Sequence, residues 1–355
     1  MTLVPQAAPD LLMDPLILAA PPRIALPALC AALAEGYGLH GALEPLGGER
    51  DRNFCLTRAQ DGRHFLVKVA HAAEDPAVTE FQTCALLHLE ASDPSLPVPR
   101  VQRTRVGGHG LWHDTGADGA CQLRVLSFVP GTPLTRAVPD PVQCRELGGF
   151  VARLDQALQG FSHPLDGRRL LWDLREAGCY ARLLPLVEDT EQHDLAADAL
   201  HRFDAQAAPV LAALPTQVIH NDLNPHNILS AEPWRLTGVI DFGDILRAPR
   251  LQEVATACAY LVRPGPAPLA GAAAFVAGYA ARSPVSAEEL RLLPTLIAMR
   301  MTATLVITSW RARLQPENAT YIRRNVPGAL AGLRALAALG PDAARRALTG
   351  KDAHA

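Results

Sequence analysis

The feature that most limits what this chain can become is a pair of polar clusters, each led in by a short apolar run: VIHNDLNPHNIL at residues 218–229 and GVIDFGD at 238–244. Apolar runs this short suit strands better than helices. Polar groups gathered at strand ends cost free energy unless they carry chemistry or tie down a loop. Asp222 and Asn227 stand at the Asp-x-x-x-x-Asn spacing of a phosphoryl-transfer loop, and Asp241 begins an Asp-Phe-Gly element at the close of the second run. Phosphoryl transfer needs one carboxylate to take the acceptor hydroxyl's proton and two oxygen ligands to hold Mg²⁺ on the phosphates. Asp222, Asn227 and Asp241 supply that set.

Composition narrows the rest. The 355 residues, 49% hydrophobic and 19% charged, suit a globular chain with a sizeable core in two domains or lobes. A net charge of −3 offers no basic surplus for nucleic acid or anionic lipid, so the expected partner is a small polar molecule. The seven Cys are scattered without a Cys-x-x-Cys pair, which fits reduced thiols filling the core of a cytoplasmic protein. The N-terminal stretch has no basic region and is interrupted by Asp10, Asp14 and several Pro, so it reads as neither signal peptide nor anchor. The longest apolar run, Ala270 to Ala281, is short of a membrane span.

The order of elements predicts an α+β architecture. Residues 1–22 are Pro-rich and expected to be loosely ordered, and 24–36 read as a short helix. In HFLVKVA, 64–70, Phe65, Val67 and Val69 alternate with Leu66 and Lys68, the pattern of a strand. Asp75 and Pro76 read as the cap and first residue of a helix running to about Glu90. CQLRVLSFV, 121–129, reads as another strand, ended by Pro130-Gly131. Helices are expected at 144–159, 174–187, 191–213, 251–262, 269–282, 286–312 and 327–348. The divisions are therefore a small strand-rich lobe at 23–130, a helical lobe at 131–348 and a frayed tail at 349–355.

The small lobe should supply a cation for the phosphates. Lys68 lies on a half-buried strand, where an isolated ammonium is expensive, so it needs an acidic partner. Glu80 is the natural one, sharing a helical stripe with Ala77, Cys84 and Leu87 that ought to face inward. Upstream, LGGERDRNF at 46–54 places Gly47 and Gly48 between strands, in a loop that lets backbone amides approach phosphates.

In order, Gly47-Gly48, Lys68, Glu80, LSFVPG (126–131), HNDLNPHN (220–227) and IDFGD (240–244) resemble the aminoglycoside phosphotransferase and choline kinase family over roughly 40–325. That family has the protein-kinase-like two-lobe fold. GERDRNF, EFQ at 80–82 and LWDL at 171–174 bring the likeness nearest to its hydroxylysine kinase branch. The resemblance implies that Asp222 is the catalytic base or the residue that orients the acceptor hydroxyl, that Asn227 and Asp241 bind Mg²⁺, and that Lys68, held by Glu80, contacts the α- and β-phosphates of ATP or GTP. It also implies nucleotide contacts from Gly47, Gly48, Asn53 and the hinge residues Ser127, Phe128 and Val129. His220, His226 and Asn224 are expected to brace the loop. The phosphate loop departs from a protein kinase's in carrying charges and fewer Gly.

Only DILRAPR, 244–250, separates Gly243 from the next helix, too little to seat a peptide, so the acceptor is expected to be a small molecule with a hydroxyl. Asp244, Glu253 and Asp173 would suit an ammonium group and Arg247, Arg250 or Arg300 a carboxylate. A hydroxy amino acid such as 5-hydroxylysine meets both; homoserine also does, whereas choline, ethanolamine and aminoglycosides need only the acids. Trp172 and Trp310 are candidates for the pocket wall, or plain core. Two other classes compete. A metal-dependent phosphohydrolase would use His220, Asp222, His226 and Asp241 as ligands, and a nucleotide-binding scaffold would lack turnover.

Overall fold

The computed structural model describes residues 10–349 apart from 18, 20, 49, 116–118 and 137. Of the loosely ordered leader and the frayed tail expected from sequence, 1–9 and 350–355 lie outside the described residues. Within 10–17 the chain makes two short 3₁₀ turns.

The fold is the expected α+β, protein-kinase-like arrangement of a small sheet and a larger helical lobe. β1 (Gly41–Leu46), β2 (Arg52–Arg58), β3 (His64–Val69), β4 (Leu111–Asp114) and β5 (Ala120–Ser127) form an antiparallel sheet in the order β1-β2-β3-β5-β4. Phe65, Val67 and Val69 are buried on one face, where α1 (Leu26–Tyr37) lays Leu29 and Leu33 against them. Leu66 and Lys68 point to the opposite face, toward α2 (Pro76–Ser92). That helix opens as its sequence predicts: the Asp75 carboxylate accepts the Ala77 N–H and Pro76 fills the first turn. Its packing is less expected. Phe81, Ala85, Leu86 and Leu89 join the large helical core, so α2 follows the small sheet in sequence but is packed with the helical lobe.

Beyond β5 the helices are α3 (Pro141–Ala157), α4 (Tyr180–Leu183), α5 (Thr190–Gln206), α6 (Ala208–Leu211), α7 (Arg250–Ala259), α8 (Ala270–Ala280), α9 (Ala287–Leu314), α10 (Ala319–Ile322), α11 (Val326–Leu339) and α12 (Pro341–Thr349). The helix expected at 174–187 is a string of short turns instead, interrupted by Gly178 and Pro185. The one expected at 327–348 is divided by Gly340, whose φ of 77° no continuing helix can use. Helices α3 and α8 cross so closely that a Cβ on Gly148 would stand 2.0 Å from the Phe275 carbonyl oxygen. Among the described residues α9 is long and apolar enough to cross a membrane, yet 89% of its apolar stretch is buried inside the protein. Arg300 interrupts that stretch, which is why the uninterrupted run at 270–281 stands out first in the sequence.

The two polar clusters sit among five further strands, β6 (Thr132–Pro133), β7 (Thr216–Ile219), β8 (Ile228–Ala231), β9 (Arg235–Val239) and β10 (Leu246–Pro249). The runs on either side of 220–227 do not pair with each other. β7 pairs with β10, whereas β8 lies between β6 and β9. The loop crosses from one ladder to another, and side-chain bonds must hold it.

Candidate active site

The loop 220–227 is fastened from below by α7. Glu253, fully buried, accepts the His220 and Asn221 backbone N–H groups at 2.8 Å each. Gln252 donates to the Asn221 side-chain oxygen at 2.8 Å. Among the described residues, Asn221 and Asp241 are the non-glycine ones with left-handed backbone, at φ 66° and 63°. Strain of this kind persists only where surrounding bonds overdetermine the chain. His220 is buried, with Nδ1 accepting the Asp222 N–H at 3.2 Å and Nε2 bonded to the Ile240 carbonyl at 3.0 Å. The Nε2 atom therefore carries the proton and donates. Burial holds the ring's pKa below its ordinary value, so it is neutral. With both nitrogens engaged, His220 is not disposed as a metal ligand.

These bonds present Asp222. Its Oδ2 accepts from Asn224 at 2.9 Å and from Asn227 Nδ2 at 2.8 Å, and its Oδ1 accepts from Arg300 at 2.9 Å. Burial pushes this carboxyl up, to about 7, against the opposing pull of Arg300; Asp244 adds to the rise. Asn227 uses only Nδ2 toward Asp222, leaving out its amide oxygen, the atom a hard cation takes. The Ile240 N–H donates to the Asn227 carbonyl at 2.9 Å and so ties the two motifs together. Asp241 follows, with a half-exposed carboxylate 4.0 Å from Lys68 Nζ.

Lys68 does not meet Glu80. Its Nζ bonds Asp51 in the Gly-rich loop at 3.1 Å, and Glu80 is exposed on another face of α2. Burial pulls the Lys68 ammonium down, but Asp51 and Asp241 outweigh it and leave the pKa above its ordinary value. The face of α2 turned to the sheet is a polar one that the apolar stripe concealed. It receives Arg124, the cross-strand neighbour of Lys68 and only 3% exposed. Arg124 donates to the Thr79 carbonyl at 3.0 Å, Thr83 Oγ1 at 3.3 Å and Gln82 Oε1 at 2.9 Å. Gln82 in turn donates to the Gly243 carbonyl at 3.4 Å, joining α2 to the Asp-Phe-Gly element. Neither Arg124 nor Gln82 was singled out from sequence; an arginine in the centre of an apolar strand was the available signal.

The loop between β1 and β2 is tied by Asn53, which donates to the Gly47 carbonyl at 3.2 Å. A Cβ on Gly48 would lie 2.5 Å from the Asp51 carbonyl oxygen, so this turn closes only around glycine. At the end of β5, Ser127 exchanges two bonds with the Arg100 backbone at 2.8 Å, while Phe128 sets its ring edge-on to His64. Val129 packs where a Cβ on Gly238 would clash with it, at 2.6 Å.

On the acceptor side, several sequence candidates turn out to be structural. Glu253 is the brace described above. Asp173 is buried against Arg175, Arg247 pairs with Asp166 at 2.7 Å, and Arg250 bonds Ser283 and the Pro284 carbonyl. Arg300 is buried, stacks over Trp172 at 4.7 Å and reaches Asp222. Trp310 packs at the edge of the core. Asp244 stays at the site, 3.2 Å from Arg50. Arg168 joins it from the loop after α3, donating to the Gly243 carbonyl at 3.2 Å. Past Gly243 the chain enters β10 and then α7 at once, so no peptide-seating segment intervenes.

A sheet and a helical lobe that bring together Lys68, Asp222, Asn227 and Asp241 define a small-molecule kinase, a phosphotransferase acting on an alcohol group. The chain belongs to the Phosphotransferase enzyme family, which matches residues 42–291. It is 26% identical over 324 residues to hydroxylysine kinase of Danio rerio, across 87% of this chain and 90% of that protein. To homoserine kinase of Azorhizobium caulinodans it is 29% identical over 279 residues, across 76% and 79%. The solved structure of a microcompartment-associated aminopropanol kinase superposes with a TM-score of 0.63 at 19% identity, over 91% of this chain and 100% of that one, a likeness of fold.

Proposed function

We propose that the chain transfers the γ-phosphate of ATP to the hydroxyl of a small hydroxy amino acid, with 5-hydroxylysine the leading acceptor and homoserine the second. The observation that carries this is a rim of mixed charge beside the Asp222 set. Asp244 would take the ammonium group. Arg168, whose Nη1 is buried with no hydrogen-bond partner among the described residues, would take the carboxylate. Choline, ethanolamine and aminoglycosides would leave that arginine unused. The similarity to hydroxylysine and homoserine kinases supports the same choice.

In this reading Asp222 accepts the hydroxyl proton as the acceptor oxygen bonds to the γ-phosphorus, and the bond from that phosphorus to the nucleoside diphosphate breaks. A carboxyl held near neutrality is matched to that duty, and Arg300, Asn224 and Asn227 fix its direction. Asn227 and Asp241 offer oxygen donors only, which suits Mg²⁺; the ion would neutralise charge on the phosphates. Lys68, exchanging Asp51 for phosphate, would contact the nucleotide, with Gly47, Gly48 and Asn53 above it and Ser127 to Val129 beside the base.

The test is nucleoside-diphosphate release by the purified protein with Mg²⁺. ATP and GTP are assayed separately against 5-hydroxylysine, homoserine, choline, ethanolamine and an aminoglycoside, with Asp222→Asn as blank. Release stimulated by 5-hydroxylysine or homoserine and lost in the variant is expected. Stimulation by choline or an aminoglycoside alone would overturn the acceptor assignment.

A further inference from the structure

Glu80 turns away from Lys68, and what it meets instead is informative. Cys84 lies one helical turn further along α2, and Glu80 and Cys84 both face His163 in the loop after α3. A Glu80 carboxylate oxygen, the Cys84 sulfur and a His163 ring nitrogen all lie within 4.8 Å of one another. We propose that Glu80, Cys84 and His163 form a binding site for a thiophilic divalent cation of the Zn²⁺ class, which pins α2 to the loop after α3.

The donor set decides the class of ion. Thiolate with imidazole selects Zn²⁺ or Co²⁺ over Mg²⁺, and three protein ligands leave a fourth tetrahedral position for water. Glu80 is exposed, which gives the ion a path in. The imidazole is already oriented: it stacks on Phe81 with ring centroids 5.0 Å apart, and Nδ1 accepts the Leu165 N–H at 3.2 Å. Coordination through either ring nitrogen gives up that one long bond. As the metal–sulfur bond forms, the Cys84 S–H breaks and its proton passes to solvent; nothing is oxidised or reduced. Burial, with Glu80 nearby, holds the thiol above its ordinary pKa, so binding releases a proton and tightens by about tenfold per pH unit below that pKa.

This site is separate from the oxygen donors of Asn227 and Asp241 and does not depend on the acceptor assignment. It acts on the helix that carries Gln82, whose bonds to Arg124 and Gly243 join α2 to the sheet and to the Asp-Phe-Gly element.

The experiment titrates the metal-free full-length protein with Co²⁺ in excess Mg²⁺, following thiolate-to-cobalt charge-transfer absorption, and then displaces Co²⁺ with Zn²⁺. The expected result is one saturable site per chain, an absorption band lost in Cys84→Ser, affinity reduced at least tenfold in His163→Gln and Glu80→Gln, and no change in Asp241→Asn. Zn²⁺ should also slow hydrogen exchange of the α2 amides in the unmodified protein but not in Cys84→Ser. Glu80→Gln alters an exposed side chain and serves as the variant least prone to misfold. Absence of a saturable band, or a band that survives Cys84→Ser through Cys30, Cys55 or Cys179, would overturn the site. Binding without slower α2 exchange would overturn the pinning.

Discussion

Replacing Arg300 by Met tests whether the buried guanidinium sets the working pH of the enzyme. Arg300 is 2% exposed and its Nη2 lies 2.9 Å from Asp222 Oδ1. Burial already holds Asp222 at about 7 with this arginine in place. An opposite charge at such a distance typically lowers a carboxylate by about 1–3 pKa units. Met keeps the aliphatic stem of the side chain but ends short of the guanidinium, so it removes the charge together with its stacking on Trp172. The sign follows from the proposed mechanism: there Asp222 must be deprotonated to take the hydroxyl proton, so activity falls as the pH drops through its pKa. Raising that pKa moves the acid limb of kcat/KM upward by about 1–3 units, equivalent to roughly 1.4–4 kcal/mol at neutral pH. The assay is diphosphate release across pH 6–10, from about one unit below the present limb to about three units above it. Recovery of the lost activity at alkaline pH is expected, with Arg300→Lys falling between the two. If the limb stays in place while activity drops equally at every pH, Arg300 does not act through the Asp222 charge and the electrostatic argument fails.

Two further substitutions probe the braces. Arg124→Gln leaves the Thr79 carbonyl and Gln82 Oε1 without their present donor, and at about 1–3 kcal/mol for each of these two buried groups the protein should lose roughly 2–6 kcal/mol in urea unfolding. Faster hydrogen exchange along α2 should accompany it; an unmoved urea midpoint would show that the bonds hold nothing. Glu253→Gln turns an amide NH₂ toward one of the two N–H groups it now accepts, at His220 or Asn221. A loss of about 1–3 kcal/mol is expected from urea unfolding, together with a lower kcat measured at an unchanged KM for nucleotide.

What could be read from sequence was whatever depends on neighbours along the chain. The spacing from Asp222 to Asn227 and the Asp-Phe-Gly element are local, and the loop folds so that Asn227 bonds Asp222 directly. Strand alternation placed Lys68 on the face away from Phe65, and the Asp75-Pro76 pair marked the start of α2. What failed was the phase of α2. An apolar stripe through Ala77, Cys84 and Leu87 argued that Glu80 points inward, but those three are only partly buried, whereas Thr79 and Thr83 are buried. Phe81, Ala85, Leu86 and Leu89 face the helical core, and the side turned to the sheet is polar because Arg124, from another strand, needs acceptors there.

The acceptor side failed for a related reason. Arg247, Arg250 and Glu253 follow the Asp-Phe-Gly element closely in sequence, yet β10 pairs with β7 and α7 packs beneath the loop, which turns all three into braces. The charges that remain beside Asp244 come from Arg50, before β2, and Arg168, after α3. Proximity in sequence is a poor guide in this part of the fold, because the chain leaves the reacting centre along a buried strand. A buried strand and the helix that follows it need their charged residues paired, so their charges are the first to be spent on structure. The residues left to meet a substrate are those that loops bring in from elsewhere in the chain, where no local pattern announces them.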